Sequence, residues 1–308
     1  MTMRITSNMI QRQVLGALQR GGEAQFGAQK ALSSGLRFEH AREDPRAAAT
    51  VLAQQTRLSE LQGQLQGADV IESRLANAES RLGGLTDVLQ AFRETLVQGQ
   101  NATLNAEDRA ILAAELRGLS ETYVGLANSR DVEGRPLFSG TGDALPFAGA
   151  PGSYVLNPPL APAQVQLGSA GVFNLNVDAQ ALFVDAAGTT DMAAVFESLA
   201  VEVEANPTDD VGRAARRDAL DQGILEIDAA IDKVVGLRSR LGNDLNRLDS
   251  FRDSASLRQI ELQSDISRLQ DADVAEEATR LAQESASLEA ARAVFQRLSQ
   301  QSLFNYLR

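Results

Sequence analysis

The single histidine of this 308-residue chain, His40, is the only side chain that could serve as a neutral-pH base in a nucleophile–histidine arrangement, and cysteine is absent. A metal centre built on two histidines is therefore impossible, and so are disulfides, thiolate ligands and thiol nucleophiles. His40 stands just before Asp44 in a stretch that reads as a loop, which suits a solvated or hydrogen-bonded imidazole better than a catalytic one. Asp271, Asp273, Glu276 and Glu277 make an acidic run, but it lacks the glycine turn and the alternating oxygen ligands of a calcium loop. It reads instead as negative charge at the start of the last helix, where it favours the helix dipole. Ser139-Gly140-Thr141-Gly142 is not followed by Lys and Ser or Thr, so it is no phosphate-binding loop. Asn101-Ala102-Thr103 is a bare sequon and assigns nothing alone. The remaining candidates are apolar. Leu303, Phe304, Tyr306 and Leu307 cluster at the tail, either as a frayed helix end or as a patch that needs a partner.

A chain without catalytic chemistry must be read for what it builds. The 41 acidic and 29 basic residues give a net charge of -12, and no basic cluster could neutralise a run of phosphates. Nucleic acid and anionic membrane are thereby excluded as expected partners. Only Lys30 and Lys233 of the basic residues are lysines. No apolar run approaches the ~18 residues of a membrane span, and Gln11, Arg12 and Gln13 interrupt the start where a secretory signal would need an apolar block. Aromatic residues make up 5% of the chain and Trp is absent, so helices packed along thin seams are expected rather than a thick core.

Proline divides the chain. Six of the eight lie from Pro136 to Pro162, so long helices belong on either side. The first is expected from about Thr6 to Leu32, ended by Ser33, Ser34 and Gly35; Asp44 then caps a second that opens on Pro45. Along it Leu58, Leu61, Leu65, Ala68, Ile71, Leu75, Ala78, Leu82, Leu85, Leu89, Phe92 and Leu96 step by three and four, with one slip at Ala68 to Ile71. Such a helix, Pro45 to about Gln98, would be roughly 80 Å long. Asn105 can cap a third that ends near Arg130. Downstream, Leu220, Ile227, Val234, Leu241, Leu248, Ala255, Leu262 and Leu269 recur every seven residues, with Ile224, Ile231, Leu245 and Ile266 four residues on. Arg238, Arg252 and Gln259 occupy other companion positions, so a wetter seam or acidic partners on another helix are expected there. Between the arms, Val165 with Leu167, and Phe173, Leu175 and Val177, alternate as short strands, followed by a helix from about Asp191. The expected fold is mainly α: a long antiparallel coiled-coil-like helical rod formed by the N- and C-terminal arms, with a small inserted β-rich domain.

The two ends carry their own stripes. Met3, Ile10, Ala17, Ala24 and Ala31 keep a heptad, with Val14, Gly21 and Ala28 interleaved; Ala278, Leu281, Leu288, Ala291, Phe295 and Leu298 form a bulkier stripe at the other end. Small residues let helix axes approach closely, and such a helix gains most from close neighbours. Two readings are open on periodicity alone: one intramolecular bundle, or contacts between copies.

The segment LSSGLRFEHAREDPRAAA, Leu32 to Ala49, resembles the N-terminal signature of flagellins and their relatives. Pro45, after the acidic pair, is similar to the hook-filament junction proteins of the FlgL family, or hook-associated protein 3, where most flagellins have alanine. GRPLFSG from Gly134, with Pro146 and Phe147, looks like the opening of that family's outer domain, although Pro136 stands where an aromatic is common. VGLRSRLGNDLNRLDS, Val235 to Ser250, resembles its returning helix. The tail from Asp271 to Arg308 resembles the shared terminal helix, and its SLFNYL ending is typical of junction proteins.

The resemblance implies a non-enzymatic structural subunit of the bacterial flagellum at the hook-filament junction, needed for filament assembly and motility. A minor flagellin is the alternative within the class. A secreted enzyme on a flagellin-like scaffold is the alternative outside it, disfavoured because residues 140–207 contain no histidine and no lysine. The implied organisation is a terminal polymerisation domain (1–43 with 271–308), a helical rod domain (44–139 with 208–270) and an inserted outer domain (140–207). Implied partners are copies of itself in a ring or collar, the adjacent hook-associated protein, flagellin and an export chaperone. Export would follow the flagellar type III route, without a cleaved signal peptide and without cofactors. Subunit contacts are expected at Ile10, Val14, Ala17, Ala24, Ala28, Ala31, Leu281, Leu288, Phe295 and Leu298. Leu303, Phe304, Tyr306 and Leu307 are expected to meet a neighbouring subunit or the chaperone.

Overall fold

The structure is a computed structural model and describes residues 7–158, 164–168, 171–174 and 182–306. The fold is mainly α with a small β part. In chain order it runs α1 (Ser7–Ser34), α2 (Pro45–Gly99), α3 (Ala106–Ala127), β1 (Phe147–Ala148), β2 (Val155–Leu156), β3 (Gln164–Leu167), β4 (Gly171–Asn174), α4 (Met192–Glu204), α5 (Asp210–Gln270) and α6 (Val274–Tyr306). It divides into two compact units: a central one, Gln62–Ala255, and a terminal one made of the residues up to Leu61 and from Ser256 onward.

Helix boundaries follow capping chemistry. Gly35 takes φ +71 after α1, the left-handed turn its sequence called for. Asp44 accepts the Ala47 N–H at 3.0 Å and opens α2 with Pro45 behind it. Asn105 and Asp108 form a reciprocal capping box at α3, the Asn105 side chain receiving the Asp108 N–H at 2.8 Å. Asp191 receives the Ala194 N–H at 2.8 Å and starts α4. Of the acidic run, Asp273 is the residue that caps α6, its Oδ1 receiving the N–H groups of Ala275 and Glu276.

In the central unit, α2 and α5 run antiparallel, as their ion pairs show. Asp228 pairs with Arg93, Arg238 with Glu79, and Arg252 with both Asp69 and Glu72, so position falls on one helix as it rises on the other. The seam is dry: Ile71, Leu75, Ala78, Leu82, Leu85, Leu89, Phe92 and Leu96 are buried, as are Leu220, Ile227, Val234, Leu241 and Leu248. The second row of α5 departs from expectation. Gly223, Ala230, Leu237 and Phe251, three residues after the heptad positions, are buried, whereas Ile224, Ile231 and Leu245, four after, are half-buried. At Gly223 the row faces α4: a Cβ there would clash with the Leu199 side chain.

A compact aromatic core sits where α3 and α4 join the seam. Phe92 meets Phe196 at 4.5 Å, and Tyr123 meets Phe196 edge-on at 4.9 Å, with Phe147 and Phe183 completing the cluster. The Tyr123 hydroxyl donates to the Leu182 carbonyl at 3.2 Å, and burial pushes its pKa up. Thin seams alone were expected from the low aromatic content. The chain instead gathers Phe92, Tyr123, Phe138, Phe147, Phe183 and Phe196 in one place. Two buried arginines close the helix ends beside this core. Arg216 donates to the carbonyls of Gly99 at 2.6 Å and Glu202 at 2.8 Å, and Arg109 to that of Ala205 at 2.9 Å. Free C-terminal carbonyls of α2 and α4 thus receive cations, the charge their dipoles favour. Burial, and then the nearby Arg109 charge, lower the Arg216 pKa.

The β part is two antiparallel hairpins, β1–β2 and β3–β4, with Val165 opposite Phe173 and Leu167 opposite Gly171. Phe173 is buried under the Arg247 guanidinium, 4.6 Å from the ring centre. Leu175 and Val177, expected on the same strand, lie outside the described residues. On α5, Lys233 donates to the carbonyls of Val184 and Asp185 at 3.1 and 2.8 Å and so ties down the turn before α4.

Candidate assembly surfaces

The terminal unit is built on the antiparallel pairing of α1 with α6. Gln25 donates to Ser285 at 3.1 Å, and a Cβ at Gly21 would approach Leu288 Cδ1 to 3.1 Å, which is why the α1 stripe is small where the α6 stripe is large. Ala28, Ala31 and Leu288 are buried in this pairing. Val14, Ala24, Leu281 and Phe295 are half-buried, and Ala17 is exposed. The side chains of Ile10, Leu298, Leu303, Phe304 and Tyr306 lie outside the described residues, as does all of Leu307. Of the expected contact residues, Ala28, Ala31 and Leu288 are thus already buried within one chain.

Sequence reasoning overlooked the opposite side of α1. Leu15 and Phe26, eleven residues apart and so on one helical face, are 45% and 69% exposed. Leu52, Leu257 and Ile260 in the same unit are also open to solvent. The signal for Phe26 was present in the sequence: a large apolar residue off the heptad stripe of an otherwise small-residue helix.

The link from α1 to α2 is a tight, charged turn. The Arg37 N–H donates to the Gln270 carbonyl at 2.7 Å and the Ala272 N–H to the Gly35 carbonyl at 2.9 Å, which joins the end of α1 to the α5–α6 junction. Phe38, Ala47 and Val51 bury against Ile266 and Leu269 below it. Lys30 reaches Glu39 at 2.9 Å and Glu43 at 3.5 Å. The hydrogen bond from Lys30 to Glu39 raises the lysine pKa, and the Glu39 N–H bonded to Glu43 lowers that carboxyl. His40 is exposed in this turn with no acid or nucleophile bonded to its ring, and among the described residues no cluster of acidic and histidine side chains is arranged to hold a metal.

Comparison with known proteins puts this arrangement in a family. Residues 5–143 match the bacterial flagellin N-terminal helical region, and residues 224–307 match the bacterial flagellin C-terminal helical region. The chain belongs to the flagellin family. Its flagellin matches cover α1 to α3 and most of α5 with α6, and they leave the strands and α4 between them. Flagellar hook-associated protein 3 of Salmonella typhimurium is 26% identical over 98% of this chain and 99% of its own length. The Escherichia coli protein of the same name is 27% identical over 88% and 89%. A flagellin of Bacillus subtilis is 25% identical over 97% of each chain. A flagellar hook-associated protein from Vibrio parahaemolyticus shares the fold, with a TM-score of 0.68 at 21% identity over 74% of this chain and all of that one. FlgL of Xanthomonas campestris does so at 0.59, 19% identical over 73% and 99%. Within the flagellin superfamily the chain is a member of the hook-associated protein 3, or FlgL, family. No helix among the described residues is long and apolar enough to cross a membrane.

Proposed function

We propose that this chain is a structural subunit of the bacterial flagellum that forms the junction between hook and filament and is needed for filament assembly and swimming. The observation that carries the reading is the end-to-end match to hook-associated protein 3, which spans nearly the whole of both chains. The role is non-enzymatic, and the partners are copies of the same chain in a collar, the adjacent hook-associated protein, flagellin and an export chaperone. The location is extracellular, reached through the flagellar export apparatus without signal cleavage.

In this reading residues 1–43 with 271–308 polymerise, 44–139 with 208–270 form the rod domain, and 140–207 form the outer domain. The surface that Val14, Ala17, Ala24, Leu281 and Phe295 keep open after α1 and α6 have paired supports contacts between copies at these residues. Ile10 and Leu298 continue the same stripes, Ala28, Ala31 and Leu288 hold the helix pair that presents them, and Leu303, Phe304, Tyr306 and Leu307 serve a neighbour or the chaperone.

Deleting the gene tests the role directly. The expected strain carries hooks without filaments and releases flagellin into the medium, and a plasmid copy restores swimming. Normal filaments in the deletion strain overturn the reading. A second reading, a minor flagellin, is favoured by the Bacillus subtilis match. Copy number separates the two: a collar protein is vastly outnumbered by filament subunits in purified flagella, whereas a filament subunit recurs along their length.

A further inference from the structure

We propose that Arg109 and Arg216 together form a binding site for a small oxyanion, a phosphate or a carboxylate, at the C-terminal end of α4. The two guanidinium groups come from different helices, α3 and α5, and converge on one set of carbonyls. Arg216 donates to Glu202 and stands 3.5 Å from the Val203 carbonyl, while Arg109 donates to Ala205. Residues 202 and 205 are one helical turn apart, about 4.5 Å along the axis, so two like charges are held side by side. Both side chains are more than nine-tenths buried, Arg109 at 6% exposure and Arg216 at 9%.

The chain does not balance this charge itself. A helix C-terminus carries roughly half a negative charge, so the ends of α2 and α4 offset about one of the two positive charges. The carboxylates nearby are engaged elsewhere: Glu197 and Glu204 hold Arg117, Asp210 holds Arg213, Asp221 receives Gln100, and Asp108 caps α3. Glu202 acts on Arg216 only at a distance. Burial first, and then the Arg109 charge, lower the Arg216 pKa, and the field of Glu202 opposes them by less than either. Each guanidinium also keeps one amino group in reserve. Arg109 Nη2 and Arg216 Nη1 donate to nothing among the described residues, and neither is sealed from solvent. An oxyanion that accepts from both takes the place of water and relieves the repulsion between two like charges, and guanidinium donors are the groups that suit carboxylate and phosphate oxygens.

Inorganic phosphate tests the site on the purified full-length chain. Phosphate is titrated to about 10 mM, with chloride adjusted to hold the ionic strength, and the melting point of the protein and the linewidth of the phosphorus resonance are read. Wild type is expected to melt higher in phosphate than in chloride and to broaden the line. Arg109→Gln, checked for folding by helical circular dichroism, is expected to bind tenfold or more weakly, as the loss of one partner of a buried charge contact predicts. Arg213→Gln, which removes an exposed charge already paired with Asp210 on the same helix, is expected to titrate as wild type does. A wild-type melting point and linewidth unmoved by phosphate overturn the inference whatever the variants do. Arg109→Gln that titrates as wild type overturns it too, and so does equal weakening in both variants, which is attraction to a basic surface and not a site. Sedimentation of wild type in the same two buffers names the source of the oxyanion: self-association that phosphate dissolves assigns a carboxylate of a second copy, and sedimentation unchanged by phosphate assigns a free anion.

Discussion

Arg238 on α5 directs two hydrogen bonds, 3.0 Å from Nε and 2.7 Å from Nη2, at a single oxygen of Glu79 on α2. A periodic leucine seam can slide by a heptad at modest cost, because one apolar layer resembles the next. A charged residue at a companion position cannot. With Arg252 on Asp69 and Glu72 farther along, it fixes which heptad of α5 faces which heptad of α2.

Reversing this pair measures its worth. Glu79→Arg alone is expected to lower the unfolding free energy by about 1 kcal/mol, since both side chains are about one-third exposed and solvent screens them. The double variant Glu79→Arg with Arg238→Glu is expected to recover most of that loss in urea unfolding. A full loss in the double variant would show that packing of the side-chain stems, and not charge, sets the register.

Arg216 is expected to matter more. Its substitution by Ala leaves the carbonyls of Gly99 and Glu202 without their donor beside the aromatic core. Loss of a buried charged donor costs roughly 2–4 kcal/mol. Chemical unfolding followed by helical circular dichroism reads this change. Arg216→Lys is expected to recover little, because one ammonium cannot span both carbonyls as the guanidinium does.

The glycines of α1 make a prediction of opposite sign. Gly16, Gly22 and Gly27 have no atom within 4 Å of a would-be Cβ, so Ala at each should fit the chain and stabilise the helix by up to ~1 kcal/mol. Thermal melting of the triple variant should rise accordingly. If these faces meet other copies, the same variant should assemble less well than wild type. A gain in stability with unchanged assembly would remove them from the contact surface.

Asp185 gives a pH dependence. The Thr189 N–H, 2.7 Å from Oδ1, is the main cause of a pKa lowered to about 2. A carboxyl depressed in the fold contributes stability that is present above its unfolded value near 4 and is lost as pH falls toward 2. Amide exchange at Thr189 should therefore quicken between about pH 4 and pH 2 beyond the intrinsic trend. In Asp185→Asn that acid-induced step should vanish.

The long helices were legible because their causes are local. Asn105 with Asp108, Asp191, Asp44 with Pro45 and the heptads of α5 each state their structure within a few residues. Arg238 and Arg252 were legible too, as charges in an apolar register that demanded acids opposite. The aromatic core was not, because Phe92, Tyr123, Phe147, Phe183 and Phe196 are brought together from five separate stretches by tertiary folding. Nor were Arg109 and Arg216 visible as a pair: their acceptors are backbone carbonyls, which have no letter in a sequence. At the terminal stripes periodicity named the faces, but it did not separate Ala28 and Ala31, buried within the chain, from Ala17, exposed on the same stripe.

Both lysines of the chain fasten a loop to a helix, Lys30 the turn before α2 and Lys233 the turn before α4. Each side-chain amine is thus a clock for one loop. An acylating reagent consumes an amine only when it is deprotonated and free of its partners, so the modification rate at Lys30 times the loosening of the terminal unit and that at Lys233 times the central one. Two peptides in a mass spectrum would then say which unit relaxes first when the protein is heated, acidified or drawn out of an assembly.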